Sequence, residues 1–254
     1  MFVSIKEDQK EAGIAAGKKA AAFIREAIQS KGSATIILAT GSSQFEVLHQ
    51  LTYEKGIDWN KVTMFHLDEY IGLPVTHKAS FRKYLQERFV EKVPSLKAVN
   101  FINGEAQAQN ECKRLEELIH QSSIDVALIG IGENGHLAFN DPPADFETRQ
   151  SFLVVNLDDV CRKQQVNEGW FSTINEVPRQ AISMSVYRIM LSEHIVCTVP
   201  GARKAEAVQH TLEEDVSNLW PASILQKHSD CYLYLDDSSS SLLKNKESYI
   251  SWGS

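Results

Sequence analysis

Apolar residues recur along the N-terminal part of the chain with two different periods. Residues 11–31 carry an apolar stripe at helical spacing, and Gly32 follows where a left-handed helix cap is expected. Residues 34–39 (ATIILA) form a short, continuous apolar run, which is typical of a strand buried on both faces. The pattern therefore predicts a long helix followed by a buried strand.

The same alternation continues to the end of the chain. Apolar runs predict further strands over residues 62–67, 124–129, 194–199 and 231–235. Helical stripes predict helices over residues 45–54, 81–93, 108–120, 181–191 and 203–212. The serine run 238–241 predicts the cap of a terminal helix that includes Leu242 and Leu243, with a linker as the alternative.

Alternating strands and helices define the fold class. They predict an α/β, Rossmann-like fold in which a mainly parallel, twisted sheet has helices on both faces. The chain shows no internal repeat and no Pro/Ser-rich linker, so we expect one domain over residues 1–254.

Composition narrows the class of function. Apolar residues make up 43% of the chain and charged residues 23%, which is typical of a globular protein. No apolar run reaches the roughly 18–20 residues of a membrane span, and the polar N-terminus lacks the apolar segment of a secretory signal. The net charge of −7 argues against nucleic-acid or membrane-surface partners. The scattered Cys112, Cys161, Cys197 and Cys231 are typical of reduced thiols, so we expect a cytoplasmic enzyme acting on a small molecule.

Ligands of open α/β sheets bind beyond the carboxyl ends of the strands, so the loops after the predicted strands are the candidate site. The first loop contains Thr40, Gly41, Ser42 and Ser43 and precedes a predicted helix. Its hydroxyls, its backbone N–H groups and the helix N-terminus offer a phosphate cradle, although simple capping by Ser42 or Ser43 is the alternative. No Gly-Lys-Ser/Thr follows, so the loop is not that of an ATP-binding P-loop.

The second loop begins with two adjacent carboxylates, Asp68 and Glu69, directly after the strand predicted over 62–67. Carboxylates at the end of a buried strand are costly unless something cationic or reactive meets them. Because neighbouring side chains of an extended segment point in opposite directions, at most one faces the pocket and the other is structural. A strand-end aspartate that only shapes a turn is the alternative.

The third loop, residues 130–136 (GIGENGH), contains the pattern GxGxxG. A dinucleotide site needs a helix at these glycines, but the prolines at 142 and 143 forbid one, so a nicotinamide cofactor is disfavoured. The glycines instead allow tight turns that present His136, with Asn134 and Asp141 able to bracket it. A histidine beside a carboxylate is a common general acid/base. The other histidines lack metal-ligand spacing, so no metal site is predicted.

With these motifs, the sequence resembles the glucosamine-6-phosphate deaminase family, aldose–ketose isomerases related to 6-phosphogluconolactonase. The matching stretches are LDEYIGLP (67–74), GIGENGHLAFNDP (130–142), VPGARKAEAV (199–208) and, more weakly, LWPASILQKH (219–228). They follow one another over nearly the whole chain. The Phe-Asn-acid-Pro sequence after Gly-His favours the deaminase branch over the lactonase branch.

The resemblance implies a role for each motif. Asp68 would be the base that moves a proton between C2 and C1 of the open-chain sugar. His136 would open the pyranose ring with help from Asp141, while residues 40–43 and Lys204 would bind the phosphate. The implied reaction converts an amino-sugar 6-phosphate and water to fructose 6-phosphate, or a stereoisomeric ketose phosphate, and ammonia without a cofactor.

Several positions depart from the family pattern. Asn134 stands where deaminases often carry aspartate, and its amide can hold the histidine by hydrogen bonding. The phosphate-binding arginine of the family is Gly169 here, and Arg162 is the predicted replacement, with a solvated surface arginine as the alternative. Basic residues of a regulatory phosphate site are missing around Ser151 and Leu153, which implies no activation by N-acetylglucosamine 6-phosphate.

Other functions stay open at this point. The substrate could be galactosamine 6-phosphate or another epimer, and the protein could be a monomer or a homo-oligomer. A 6-phosphogluconolactonase-type hydrolase and a non-catalytic sugar-phosphate sensor are the alternatives from other classes. The presence of Asp68, His136 and Asp141 together disfavours the sensor, because binding alone needs no strand-end base.

Overall fold

A seven-stranded sheet runs through the computed structural model, which describes residues 1–246 and residue 249. The strands of this sheet are β1 (Phe2–Lys6), β2 (Ala34–Leu38), β3 (Val62–His66), β5 (Ala98–Asn100), β6 (Val126–Ile129), β9 (His194–Val199) and β10 (Cys231–Asp236). Their order across the sheet is β1-β10-β9-β6-β2-β3-β5, and every pairing is parallel.

A second, antiparallel sheet lies beside the carboxyl ends of the large one. It consists of β4 (Asp68–Tyr70), β8 (Gln180–Met184) and β7 (Phe152–Asn156), in that order. Only Leu67 separates β3 from β4, and the backbone N–H of Met184 donates to the Leu67 carbonyl over 2.9 Å. The chain thus passes from one sheet to the other immediately before Asp68.

Helices cover both faces of the large sheet. They are α1 (Gln9–Lys31), α2 (Phe45–Tyr53), α3 (Phe81–Leu85), α4 (Ala108–Ile119), α5 (Asp159–Asn167), α6 (Val186–Met190) and α7 (Ala205–Glu213). The Asp8 carboxylate caps α1 at the Glu11 N–H, and Gly32 ends it at φ +80°. Gly17 lets α1 lie directly on α2, because a Cβ there would meet Gln50 Cβ at 2.7 Å.

The core consists of two apolar layers separated by the large sheet. In β2, Ile36 and Leu38 pack against α1 and α2, whereas Ile37 packs into the layer beneath α4 and α7. Both faces of the strand are therefore buried, which is why its sequence is a continuous apolar run. None of the described helices combines the length and the apolar character that crossing a membrane requires.

The predicted fold class is confirmed, and most predicted elements lie within two residues of their observed bounds. The helix predicted over residues 181–191 is wrong: the segment forms β8 and then the short α6, which Ser185 caps at the Arg188 N–H. A short apolar run is compatible with both the helical and the strand period, and here the run forms the middle strand between β4 and β7. The predicted terminal helix is not formed at Leu242, which lies in a turn, or at Leu243; its continuation beyond residue 246 lies outside the described residues, apart from residue 249.

Candidate active site

A cleft opens at the carboxyl ends of β2, β3, β6 and β9, with about 630 Å³ of space including its open mouth. Residues of all three predicted loops line it, namely residues 40–43, Asp68 and residues 130–132 with His136. Lys204, at the beginning of α7, lines the same cleft. Parallel strands place their following loops at one edge, so residues far apart in sequence meet there.

The two strand-end carboxylates point in opposite directions. Asp68 lines the cleft and is 6% exposed. Glu69 is fully buried and accepts hydrogen bonds from the backbone N–H groups of Tyr70, Phe81 and Arg82 and from the Ser80 hydroxyl. Glu69 therefore anchors the beginning of α3, and Asp68 is the carboxylate available for chemistry.

Asp68 lies in an environment that disfavours its charge. Burial, and to a lesser degree the neighbouring charge of Glu69, raises the pKa of Asp68 to about 8. A carboxylate whose pKa lies near neutral pH is well matched to accept a proton from carbon and return it. Asp68 is therefore the candidate general base of this cleft.

His136 is oriented by the carboxylate of Asp141. The imidazole Nδ1 lies 2.9 Å from Asp141 Oδ1, which leaves Nε2 as the ring nitrogen available to the cleft. Asn134 Nδ2 also donates to Asp141 Oδ1 over 3.0 Å, and the Asp158 N–H donates to Oδ2 over 3.0 Å. Burial opposes the charge of Asp141, but these hydrogen bonds, chiefly that of His136, hold the pKa of the carboxyl below its usual value.

The backbone of the third loop fits closely around the His136 ring. A Cβ at Gly132 would lie 2.3 Å from His136 Nε2, so only glycine fits this position. The loop contains no helix, and Trp220 packs against Gly135 on its outer side. The glycines thus shape a turn around an imidazole and do not form the helix N-terminus of a dinucleotide site.

Residues 40–43 and Lys204 form a concave, anion-compatible end of the cleft. Gly41 adopts φ +96°, and its carbonyl accepts a hydrogen bond from the Tyr84 hydroxyl over 2.9 Å. The loop then continues into a short 3₁₀ turn, Ser42–Gln44, which leads directly into α2. Burial lowers the pKa of Lys204, whereas the charges of Glu168 and Glu133 raise it.

Arg162 is not at the cleft, which corrects its prediction as a phosphate ligand. It is 4% exposed, and its guanidinium donates to the carbonyls of Ile174 and Val177 and to Asp159. Its position on α5 directs it away from the cleft, where it braces the 174–177 turn. The cleft face of α5 instead presents Gln164 and Gln165, with Glu168 at the helix end.

Gln164, Gln165 and the C-cap residue Glu168 were not predicted from the sequence as residues of the cleft. Their spacing of i, i+1 and i+4 places them on one face of a helix, but nothing in the local pattern shows that this face is turned toward a site. Gln164 connects the helix to the third loop, because its Oε1 accepts from the Glu133 N–H over 3.0 Å.

Cys161 lies behind His136 and Asp141, and one ligand-type atom of each lies within 4.8 Å of the others. Burial raises the pKa of the Cys161 thiol well above its usual value, so it stays protonated and is a poor metal ligand. The His136 and Asp141 atoms concerned already bond to each other. The donor set therefore fits a hydrogen-bond network around the imidazole better than a metal ion.

Comparison with known proteins shows the family to which the chain belongs. Residues 7–233 match a family model described as glucosamine-6-phosphate isomerases/6-phosphogluconolactonase. The glucosamine-6-phosphate deaminase 2 of Bacillus subtilis is 39% identical over 236 residues, covering 90% of this chain and 93% of that protein. The glucosamine-6-phosphate deaminase of Shouchella clausii is 35% identical, covering 90% and 94%.

Solved structures show the same architecture. The structure of a monomeric glucosamine-6-phosphate deaminase superposes with a TM-score of 0.88 at 32% identity, covering 95% of this chain and all of that one. A 6-phosphogluconolactonase from Trypanosoma brucei gives a TM-score of 0.76 at 18% identity, covering 94% and 97%. At that identity the second match shows the shared fold alone.

Proposed function

The chain belongs to the glucosamine-6-phosphate isomerase/6-phosphogluconolactonase family, and we propose that it is an amino-sugar 6-phosphate deaminase. It converts glucosamine 6-phosphate and water to fructose 6-phosphate and ammonia. The observation that carries the proposal is the presence, in one cleft, of a buried aspartate and an imidazole oriented by a carboxylate. Identities of 39% and 35% to proteins named as deaminases support it.

The reaction begins with ring opening at His136. With Nδ1–H donated to Asp141, the unprotonated Nε2 accepts the proton of the C1 hydroxyl and delivers a proton to the ring oxygen. The C1–O5 bond breaks and the aldehyde forms. Asp141 stabilises the imidazolium that exists between the two transfers.

Asp68 then carries the proton between carbons. Its carboxylate removes the proton from C2 while O1 takes up the proton that the substrate's ammonium group releases, which gives an enol-amine. Asp68 then returns its proton to C1, which gives the protonated 2-imine of the ketose. Water adds to C2 of the imine, and ammonia leaves to give fructose 6-phosphate. Protons and water balance every step, so the proposed reaction needs no oxidant or reductant.

Lys204 and residues 40–43 anchor the phosphate and position C1 and C2 against Asp68. Lys204→Ala is expected to raise KM for the sugar phosphate at least about tenfold, because a charge-assisted contact is lost. Steady-state kinetics with an ammonia-coupled assay measure this effect. Arg203→Ala is the matched control, since Arg203 is exposed and pairs with Glu133. An unchanged KM in the Lys204 variant would place the phosphate elsewhere.

The pH profile depends on the protonation of Asp68. Because the base must be ionised and its pKa in the free enzyme is about 8, kcat/KM is expected to rise with pH up to about 8 and to level off above it. The rise below pH 8 should approach tenfold per pH unit. A rate measured from pH 6 to 9 that stays flat would contradict this role of Asp68.

A panel of amino-sugar 6-phosphates tests the function directly. Ammonia release from glucosamine 6-phosphate with formation of fructose 6-phosphate is the expected result, and galactosamine 6-phosphate in the same panel identifies the epimer. Hydrolysis of 6-phosphogluconolactone without ammonia release would favour the lactonase alternative. Thermal stabilisation by the sugar phosphates without turnover of any of them would identify a sensor.

The cytoplasm is the proposed location of this reaction. All four cysteines are free thiols, and Cys161, Cys197 and Cys231 are buried. Unpaired cysteines are typical of a reducing compartment.

A further inference from the structure

Glu168 is a carboxylate at the phosphate-binding end of the cleft. Its side chain lines the cleft together with Gly41 and Lys204. Trp170 Nε1 donates to Glu168 Oε2 over 3.2 Å, and the Trp170 ring packs edge-on against Tyr84, whose hydroxyl bonds the Gly41 carbonyl. Trp170 and Tyr84 thus connect Glu168 to the loop of residues 40–43.

Two fixed hydrogen bonds hold the Glu168 carboxylate in this position. Besides the Trp170 indole, Gln164 Nε2 donates to Glu168 Oε1 over 2.8 Å, and Gln164 in turn accepts from the third loop at Glu133. Both donors are neutral, so they orient the carboxylate without cancelling its charge. The side chain is half-buried, which limits screening by solvent.

The charged side chains that line the cleft do not favour the binding of a dianion. Among the described residues that line it, Lys204 is the single lysine or arginine, whereas Asp68 and Glu168 are both acids. The nearby Arg203 is already paired with Glu133, at 3.4 Å. Two carboxylates, Glu168 and Glu133, raise the pKa of Lys204; the charge of Glu168 has the larger effect, and Glu133 is already paired with Arg203.

We propose that Glu168 is a built-in counter-ion of Lys204 that lowers the affinity of this cleft for phosphate dianions. The inference rests on the proposed function, since it concerns the site assigned to the sugar phosphate. In the empty cleft the charge of Glu168 opposes the effect of burial, which lowers the pKa of Lys204; once phosphate binds, the same carboxylate repels the phosphate. Glu168 weakens the binding of both the substrate and the ketose phosphate product, so the product dissociates more readily.

Removing this charge is expected to tighten phosphate binding. Titration calorimetry with inorganic phosphate and with fructose 6-phosphate should give a Kd about tenfold lower for Glu168→Gln than for the unmodified protein, since one repulsive charge is lost. The glutamine oxygen still accepts one of the two hydrogen bonds. Glu147→Gln, which removes an exposed carboxylate outside the cleft, is the matched control and should leave Kd unchanged.

Two further variants keep the test decisive if glutamine disturbs the α5 end. Glu168→Ala also removes the charge and must lower Kd as well, while the gain should disappear in Glu168→Gln combined with Lys204→Met. In kinetics, KM of the Gln variant should fall without a rise in kcat. Unchanged or weaker phosphate binding by folded variants at position 168 would overturn the inference.

The function and the inference fail in different ways. If the unmodified protein neither binds fructose 6-phosphate nor releases ammonia, the proposed function is wrong. If it does both, and neutral variants at position 168 bind phosphate no more tightly, only the role of Glu168 is wrong.

Discussion

Replacing Asp68 with asparagine is expected to lower kcat at least about 100-fold, because the amide cannot take a proton from C2 or return it to C1. Sugar-phosphate binding should stay within about threefold, since Lys204 and residues 40–43 are unchanged. Ammonia-coupled kinetics and calorimetry measure the two quantities separately. Asp215→Asn, an exposed aspartate, is the control. Near-normal turnover by Asp68→Asn would remove Asp68 from its role as the base.

The same substitution should stabilise the fold above neutral pH. The folded-state pKa of about 8 lies above the ordinary 3.8, so between these values the folded protein binds more protons than the unfolded chain. The free energy of unfolding therefore falls as pH rises through this window. Asparagine does not ionise, so the Asp68→Asn variant does not lose this stability. We expect the Tm of Asp68→Asn to exceed that of the unmodified protein by at least about 3 °C at pH 8 to 9. The two should converge near pH 4. A gain in Tm with a loss of kcat would show that the charge serves the reaction at the expense of stability.

Replacing Asp141 with asparagine is expected to lower kcat about 10²–10⁴-fold without unfolding the protein. An amide at this position donates toward His136 Nδ1, so the imidazole proton moves to Nε2, the nitrogen that must accept the proton of the C1 hydroxyl. The loss should concern kcat more than KM, because Asp141 does not line the cleft.

Asp159→Asn is the matched control for Asp141, since Asp159 is an exposed aspartate of α5 that pairs with Arg162. Its kcat should be unchanged. An NMR measurement of the His136 ring nitrogens shows the tautomer directly and separates a tautomer effect from a change in the loop. Full activity of Asp141→Asn, or loss of activity with an unchanged tautomer, would contradict the orienting role.

The buried part of the fold could be predicted from the sequence because its pattern has a single physical cause. Strands β2 and β6 are buried along their whole length, and β3, β9 and β10 along most of it, so their sequences are mainly apolar and mark them clearly. Strands β1, β5 and β7 lie at sheet edges, are partly exposed and were not predicted. The short β1 and β5 carry no such run, whereas the apolar residues 152–155 of β7 do form one and were overlooked. The alternation of strands and helices also placed three loops at one edge, because parallel strands end on the same side.

Only the tertiary structure decided which side chains at that edge of the sheet point into the cleft. The sequence alone indicated that at most one of Asp68 and Glu69 would face a pocket, since neighbouring side chains on a strand alternate. The four hydrogen-bond donors around Glu69 show that Glu69 is the structural one. On α5 the sequence pointed to Arg162, but the way the helix packs turns that residue inward to the 174–177 turn and brings Glu168 into the cleft. Residue type and chain order are local properties of a sequence, whereas the face a helix shows to a site depends on every element packed against it.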